Sequence, residues 1–226
     1  MTPPSGLHYD RYQHEGRPEW LMRIGAADAP PILFLPPLFE EMNRTRAFIA
    51  DLMRRLARRG YGCWLPDLPG TGESGQPLAN IRWSDWRDAA AAAGETAGRG
   101  SGKRPLTVSI RGGALLDDAV DAPCRWRFAP VDGESLSRDL TRAGLVSGTH
   151  YAGYEPDTDL MESLTTAIPA PLDKVRTVRL ASDRGDADAK IEGPALWRRS
   201  EPGNAPELAL AIANDLEQWV QRCAGS

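Results

Sequence analysis

The stretch that decides the fold is Leu106-Thr107-Val108-Ser109-Ile110-Arg111-Gly112-Gly113-Ala114-Leu115-Leu116. Its first three residues read as a buried strand, and Gly113-Ala114-Leu115-Leu116 reads as the opening of a helix. Between them the chain must turn sharply. The residues two before and two after the crest, Ser109 and Gly113, are both small, as a crowded strand-to-helix turn demands. The crest itself is Arg111. A guanidinium stays protonated and offers no lone pair, so this turn displays a cation and not a nucleophile.

Working outward, Ile32-Leu33-Phe34-Leu35 is a short apolar run between prolines, the mark of a strand covered on both faces. Phe48, Ile49, Leu52, Met53 and Leu56 then recur at helical spacing, with Arg54, Arg55, Arg58 and Arg59 on or near the other face, and Gly60 ends the helix. Residues 62–66 form the next strand and Asp67 to Gly75 a turn-rich loop. A helix is expected over 82–97, and a flexible connector over 98–102 leads to the strand before the crest. Residues 125–130 alternate as a further strand, and a short helix over 135–143 takes its cap from Glu134 or Ser135. A helix over 160–168, a strand over 175–181, a weaker one over 189–193 and a C-terminal amphipathic helix carrying Leu208, Ile212 and Leu216 complete the pattern. Strands alternating with helices predict an α/β fold with a mostly parallel sheet, as a single domain over 1–226.

Composition narrows the function. The 27 basic and 31 acidic residues give a net charge of −4, which argues against nucleic acid or an anionic membrane as the main partner. Cys63, Cys124 and Cys223 are odd in number and form no C-x-x-C pair, so reduced thiols in a cytoplasmic protein are expected. With His8, His14 and His150 they show no ligand spacing, so neither a metal nor a cofactor is expected. The N-terminus carries no basic and apolar leader pattern, and the longest apolar run, Pro30 to Phe39, is too short to span a bilayer. Gly98 to Arg104 imitates a phosphate-binding loop, but its first glycine is displaced, Arg104 replaces Ser/Thr, and it precedes a strand.

The order of motifs resembles the α/β-hydrolase superfamily. Leu35-Pro36-Pro37-Leu38-Phe39 sits where those proteins carry the oxyanion loop, Asp67-Leu68-Pro69-Gly70-Thr71-Gly72-Glu73-Ser74 resembles their D-x-P-G-x-G-x-S loop, and Ser109 to Gly113 falls at the nucleophile elbow. More narrowly, residues 37–46, 111–116, 129–133, 152–155 and 193–197 are similar to the exosortase A system-associated hydrolase, type 2, of bacteria that make PEP-CTERM proteins and exopolysaccharide. The resemblance implies a three-layer sandwich with a reduced lid, its candidate segment being 144–170, with His150-Tyr151 where a lid would insert.

It also implies a hydrolase site, which the residues do not supply. The nucleophile position holds Arg111, no histidine occurs after His150 where the base would lie, and Pro36-Pro37 removes backbone donors from the oxyanion loop, leaving those of Leu38 and Phe39. Candidate catalytic carboxylates are Glu40, Asp67 and Asp183. Arg111 has two readings. It recognises an anion beside the N–H groups of a helix starting at Gly112, or it pairs internally with Glu40, Glu41, Asp67 or Asp132. The candidate binding set is Arg111, Gly112, Leu38, Phe39, Glu40, Glu41, Asn43, Arg44 and Trp197, the last as packing or as a saccharide platform. The expected partner is a small anionic or saccharide-derived ligand, or a protein; the alternative is ester or thioester hydrolysis through carboxylates.

Overall fold

The computed structural model describes residues 6–142, 146–147, 150–151 and 155–224. Its elements, in chain order, begin with β1 (Leu7–His14), β2 (Arg17–Ile24), β3 (Pro31–Leu35), α1 (Glu40–Ala57), β4 (Gly62–Pro66) and α2 (Trp83–Arg99). There follow β5 (Leu106–Ile110), β6 (Arg125–Phe128), α3 (Gly133–Arg142), the short strands β7 (Val146–Ser147) and β8 (His150–Tyr151), and α4 (Thr158–Thr166). The chain closes with β9 (Val175–Leu180), β10 (Ala189–Ile191) and α5 (Pro206–Ala224).

The apolar runs of β3, β4 and β5 are buried at every position, because helices cover both faces of the sheet there. The eight strands lie in the order β1-β2-β4-β3-β5-β6-β9-β10. Only β2 runs against its neighbours β1 and β4; the other pairings are parallel. On one face α1 and α5 bury Phe48, Leu52, Leu56, Ile212 and Leu216 against the sheet. On the other, α2, α3 and α4 bury Trp86, Ala89, Leu136 and Leu160. Each fully buried large side chain contributes about 1.5–3 kcal/mol of transfer free energy. The expected α/β three-layer architecture is therefore present.

Three local expectations are corrected. Cys124 and Cys223 form a disulfide, with Cα atoms 6.3 Å apart, and only Cys63 is a free, buried thiol. They lie 99 residues apart, so spacing gave no sign of the pair. Packing of α5 over β6 brings them together, where Trp219 Nε1 donates to Arg125 O and Trp126 Nε1 to Asp215. Since disulfides belong to oxidising surroundings, the cysteines no longer argue for a cytoplasmic chain.

Second, the segment after β5 opens no α-helix. It makes two short 3₁₀ turns, Arg111–Leu115 and Asp117–Ala119. The wholly buried Asp117 is drawn inward, accepting from Ser109 Oγ at 2.8 Å and from Arg127 Nη2 at 2.7 Å. Third, α3 is capped by Asp132, whose Oδ1 accepts from Ser135 N at 2.6 Å, and not by Glu134 or Ser135.

Of the candidate lid, residues 144–145, 148–149 and 152–154 and the side chains of His150 and Tyr151 lie outside the described residues, whereas α4 packs on α2 and α3. Among the described residues no helix is long and apolar enough to cross a membrane.

Candidate functional site

The crest of the turn after β5 lies at the carboxyl edge of the sheet. Arg111 has φ 54°, a left-handed backbone that costs a residue with a side chain about 1–3 kcal/mol. The turn presses against the segment after β3 so closely that a Cβ on Gly113 would run into the carbonyl oxygens of Leu35 and Pro36. This is why glycine stands two residues past the crest.

The Arg111 guanidinium is gripped from below. Its Nε and Nη2 donate to both Glu41 carboxylate oxygens at 2.9–3.2 Å, Nη2 also reaches Asp139 Oδ2 at 3.3 Å, and Cζ lies 4.9 Å from the centroid of the Trp197 ring. The Arg111 and Glu41 side chains are 7% and 9% exposed, Asp139 41%. Burial pushes the Glu41 carboxyl above its ordinary range, although the charge and hydrogen bonds of Arg111 pull the other way. Of the four carboxylates expected as internal partners, Glu41 is the one used. The Nη1 group of Arg111 takes no partner among the described residues.

The other candidates scatter. Leu38 and Phe39 are buried, and Phe39 packs edge-on against Trp86 with ring centroids 5.6 Å apart. No helix N-terminus faces Gly112, because the 3₁₀ turn replaces it; a Cβ on Gly112 would lie 3.1 Å from the Leu38 and Leu136 side chains. Glu40 stays on the first turn of α1, accepting from Asn43 Nδ2 and lying 3.6 Å from Arg44 Nε. Arg44 Nη1 in turn donates to Trp197 O, tying α1 to the segment under Arg111. Trp197 is buried, so it packs.

Asp67 is also turned inward. It binds Arg46 Nη1 at 2.9 Å and accepts from Glu73 N, and a Cβ on Gly72 (φ 55°) would meet its carboxylate at 2.6 Å. Asp183 accepts from Arg179 Nη1 and Gly185 N. Burial disfavours its charge, but these two donors and the Arg111 charge outweigh that and hold its carboxyl below the ordinary range. It therefore stays ionised near neutrality and is poorly matched to proton transfer there.

What the fold does assemble is a cleft of about 650 Å³ above the crest, walled by Arg111, Val131, Asp139, Ile168, Asp183 and Arg198. Of the expected residues it unites Arg111 with Asp183, with Glu41 and Trp197 directly behind Arg111. Asp139, Ile168 and Arg198 were missed. Arg198 is signalled only by following Trp197, and Asp139 by its place one turn beyond Ser135 on an amphipathic helix.

No family model and no curated protein sequence matches the chain. Solved structures do match. A haloalkane dehalogenase loop variant from Bradyrhizobium elkanii superposes with a TM-score of 0.64 at 14% identity, over 97% of this chain and 98% of that one. A 2-hydroxy-6-oxo-6-phenylhexa-2,4-dienoate hydrolase from Rhodococcus gives 0.60 at 13% identity, over 96% and 99%. An α/β serine hydrolase without a lid from Xanthomonas campestris gives 0.56 at 10% identity, over 97% and 95%. With the strand order, the antiparallel β2 and the left-handed crest after β5, these likenesses assign the chain the α/β-hydrolase fold.

Proposed function

We propose that this protein uses the α/β-hydrolase fold for recognition, holding a small anionic or saccharide-derived ligand, or a partner that presents one, in the cleft above Arg111. The carrying observation is Arg111 itself. The crest keeps its strained backbone, φ 54°, yet displays a guanidinium braced by Glu41 and Trp197 and facing the cleft. No histidine stands between β10 and α5, where a base would be needed, and Leu38 and Leu136 close over Gly112. The short segments similar to the exosortase A system-associated hydrolases favour a setting of exopolysaccharide or PEP-CTERM protein handling.

Hydrolysis through Glu40, Asp67 or Asp183 has less support, because each carboxylate is matched to an arginine and no two share a reacting position. The test is turnover of a panel of short acyl esters and thioesters. The wild-type rate is expected at the buffer background. Turnover well above it that disappears in Glu40→Gln, Asp67→Asn or Asp183→Asn overturns the proposal.

A further inference from the structure

The cleft above Arg111 has three kinds of wall. At its floor is Arg111, more than nine-tenths buried, with Nη1 unpartnered among the described residues, Glu41 behind it and the 41% exposed Asp139 beside it, while Asp132, Asp183 and Asp186 line the walls opposite Arg138, Arg179 and Arg198. At its rim is Arg198, exposed, its side chain without a hydrogen-bond or ion-pair partner among the described residues. Beside them stand Val131, Pro169 and Ile168, and Ile168 is 68% exposed. A large aliphatic side chain left that open costs solvation, and here it borders a concave site.

The two contacts of the Arg111 fork are unequal. Glu41 takes Nε and Nη2 side-on from behind, at 9% exposure. Asp139 reaches the same Nη2 from the solvent side at 3.3 Å, longer than a strong charge-assisted hydrogen bond. A half-exposed, long contact of this sort contributes little to stability, so another carboxylate can replace it at small cost. Glu41 cannot be replaced in this way, because it would be left buried and unpaired.

We infer that the cleft takes an amphipathic organic acid, whose carboxylate displaces Asp139 from Arg111 and reaches Arg198 while its apolar body lies along Ile168 and Val131. This rests on the recognition reading above and narrows it to a ligand class. Arg111 supplies the planar donors, held rigid by Glu41 and Trp197, so little side-chain freedom is lost on binding. Asp139 is then a built-in competitor, a tethered carboxylate that occupies the site until a ligand arrives.

The experiment is calorimetric titration with a straight-chain series, acetate, butyrate, hexanoate and octanoate, with inorganic phosphate alongside. Affinity for the wild type is expected to rise about fourfold for each methylene that becomes buried. Asp139→Asn is expected to tighten every acid about two- to fivefold, the worth of one displaced surface contact. Ile168→Ser, a change at an exposed position, is expected to flatten the chain-length dependence. Arg198→Gln should weaken all members. Equal binding of acetate, octanoate and phosphate, or no tightening in Asp139→Asn, overturns this inference and leaves anion recognition standing. Absence of binding by any acid or phosphate to both wild type and Asp139→Asn overturns the recognition reading as well.

Discussion

Two buried arginine–carboxylate pairs lie on either side of the turn after β5, and they are built to opposite ends. Arg127 meets Asp117 with Nε and Nη2 at 2.7–2.8 Å, and Asp117, wholly buried, accepts from Ser109 as well. Arg127 also donates to Ala170 O, and it borders no part of the cleft. Arg111 meets Glu41 at 2.9–3.2 Å from a strained backbone, shares itself with the half-exposed Asp139, and faces open space. The first pair locks the chain where a longer helix was expected. The second presents a charge. Desolvating an ion pair is costly wherever it occurs, so burial alone does not separate structure from function; what separates them is where the remaining donors and the second carboxylate point.

The contrast can be broken at four levels of effect. Asp117→Ala leaves Arg127 buried against no charge, and a loss of about 3–5 kcal/mol is expected in urea unfolding. Glu41→Gln keeps a hydrogen-bonding partner, with Asp139 still at hand, so a loss of about 1–3 kcal/mol is expected by the same measurement. An equal loss from both would erase the distinction between the two pairs.

The third is pH. Burial opposes charge on Asp118 and Asp215, but hydrogen bonds from Arg87 and from Arg176 with Trp126 outweigh it and hold both carboxyls below the ordinary range, as with Asp183. A depressed folded value contributes stability that is full above the unfolded carboxyl value of about 3.9 and is lost as pH falls through the folded value. Thermal midpoints should therefore drop below about pH 4. Glu41, raised by burial, acts in the opposite sense, adding stability as pH falls toward its unfolded value, and Glu41→Gln should remove that rise. The smallest effect is expected from Asp121→Asn. Its partner Arg104 is 60% exposed and Asp121 77%, so a change under about 0.5 kcal/mol is expected in urea unfolding.

The central strands were legible because strands covered on both faces must be apolar throughout, as Pro31–Leu35 and Leu106–Ile110 are. The hairpin of β1 and β2 was passed over because its outer face is polar and its strands carry few aliphatic residues. Its signal was Glu15-Gly16, whose φ values of 48° and 75° make the mirror-image two-residue turn that such hairpins favour. The crest was legible from Ser109 and Gly113, since sterics alone demand small residues on either side of it. Its surroundings were not. Asp139 comes from a helix 28 residues on, Cys223 pairs across 99 residues, and Asp117 is set by a contact to Arg127 that no periodicity encodes.

The central claim is that the crest arginine recognises an anion with the geometry of its fork. Titration of octanoate into wild type and into Arg111→Lys tests this most directly, because lysine keeps the charge opposite Glu41 but loses the planar donors. Binding by the wild type that weakens at least about tenfold in a folded Arg111→Lys variant is the predicted result, a difference of about 1.4 kcal/mol. Equal affinity in the two proteins, or none in either, would contradict it.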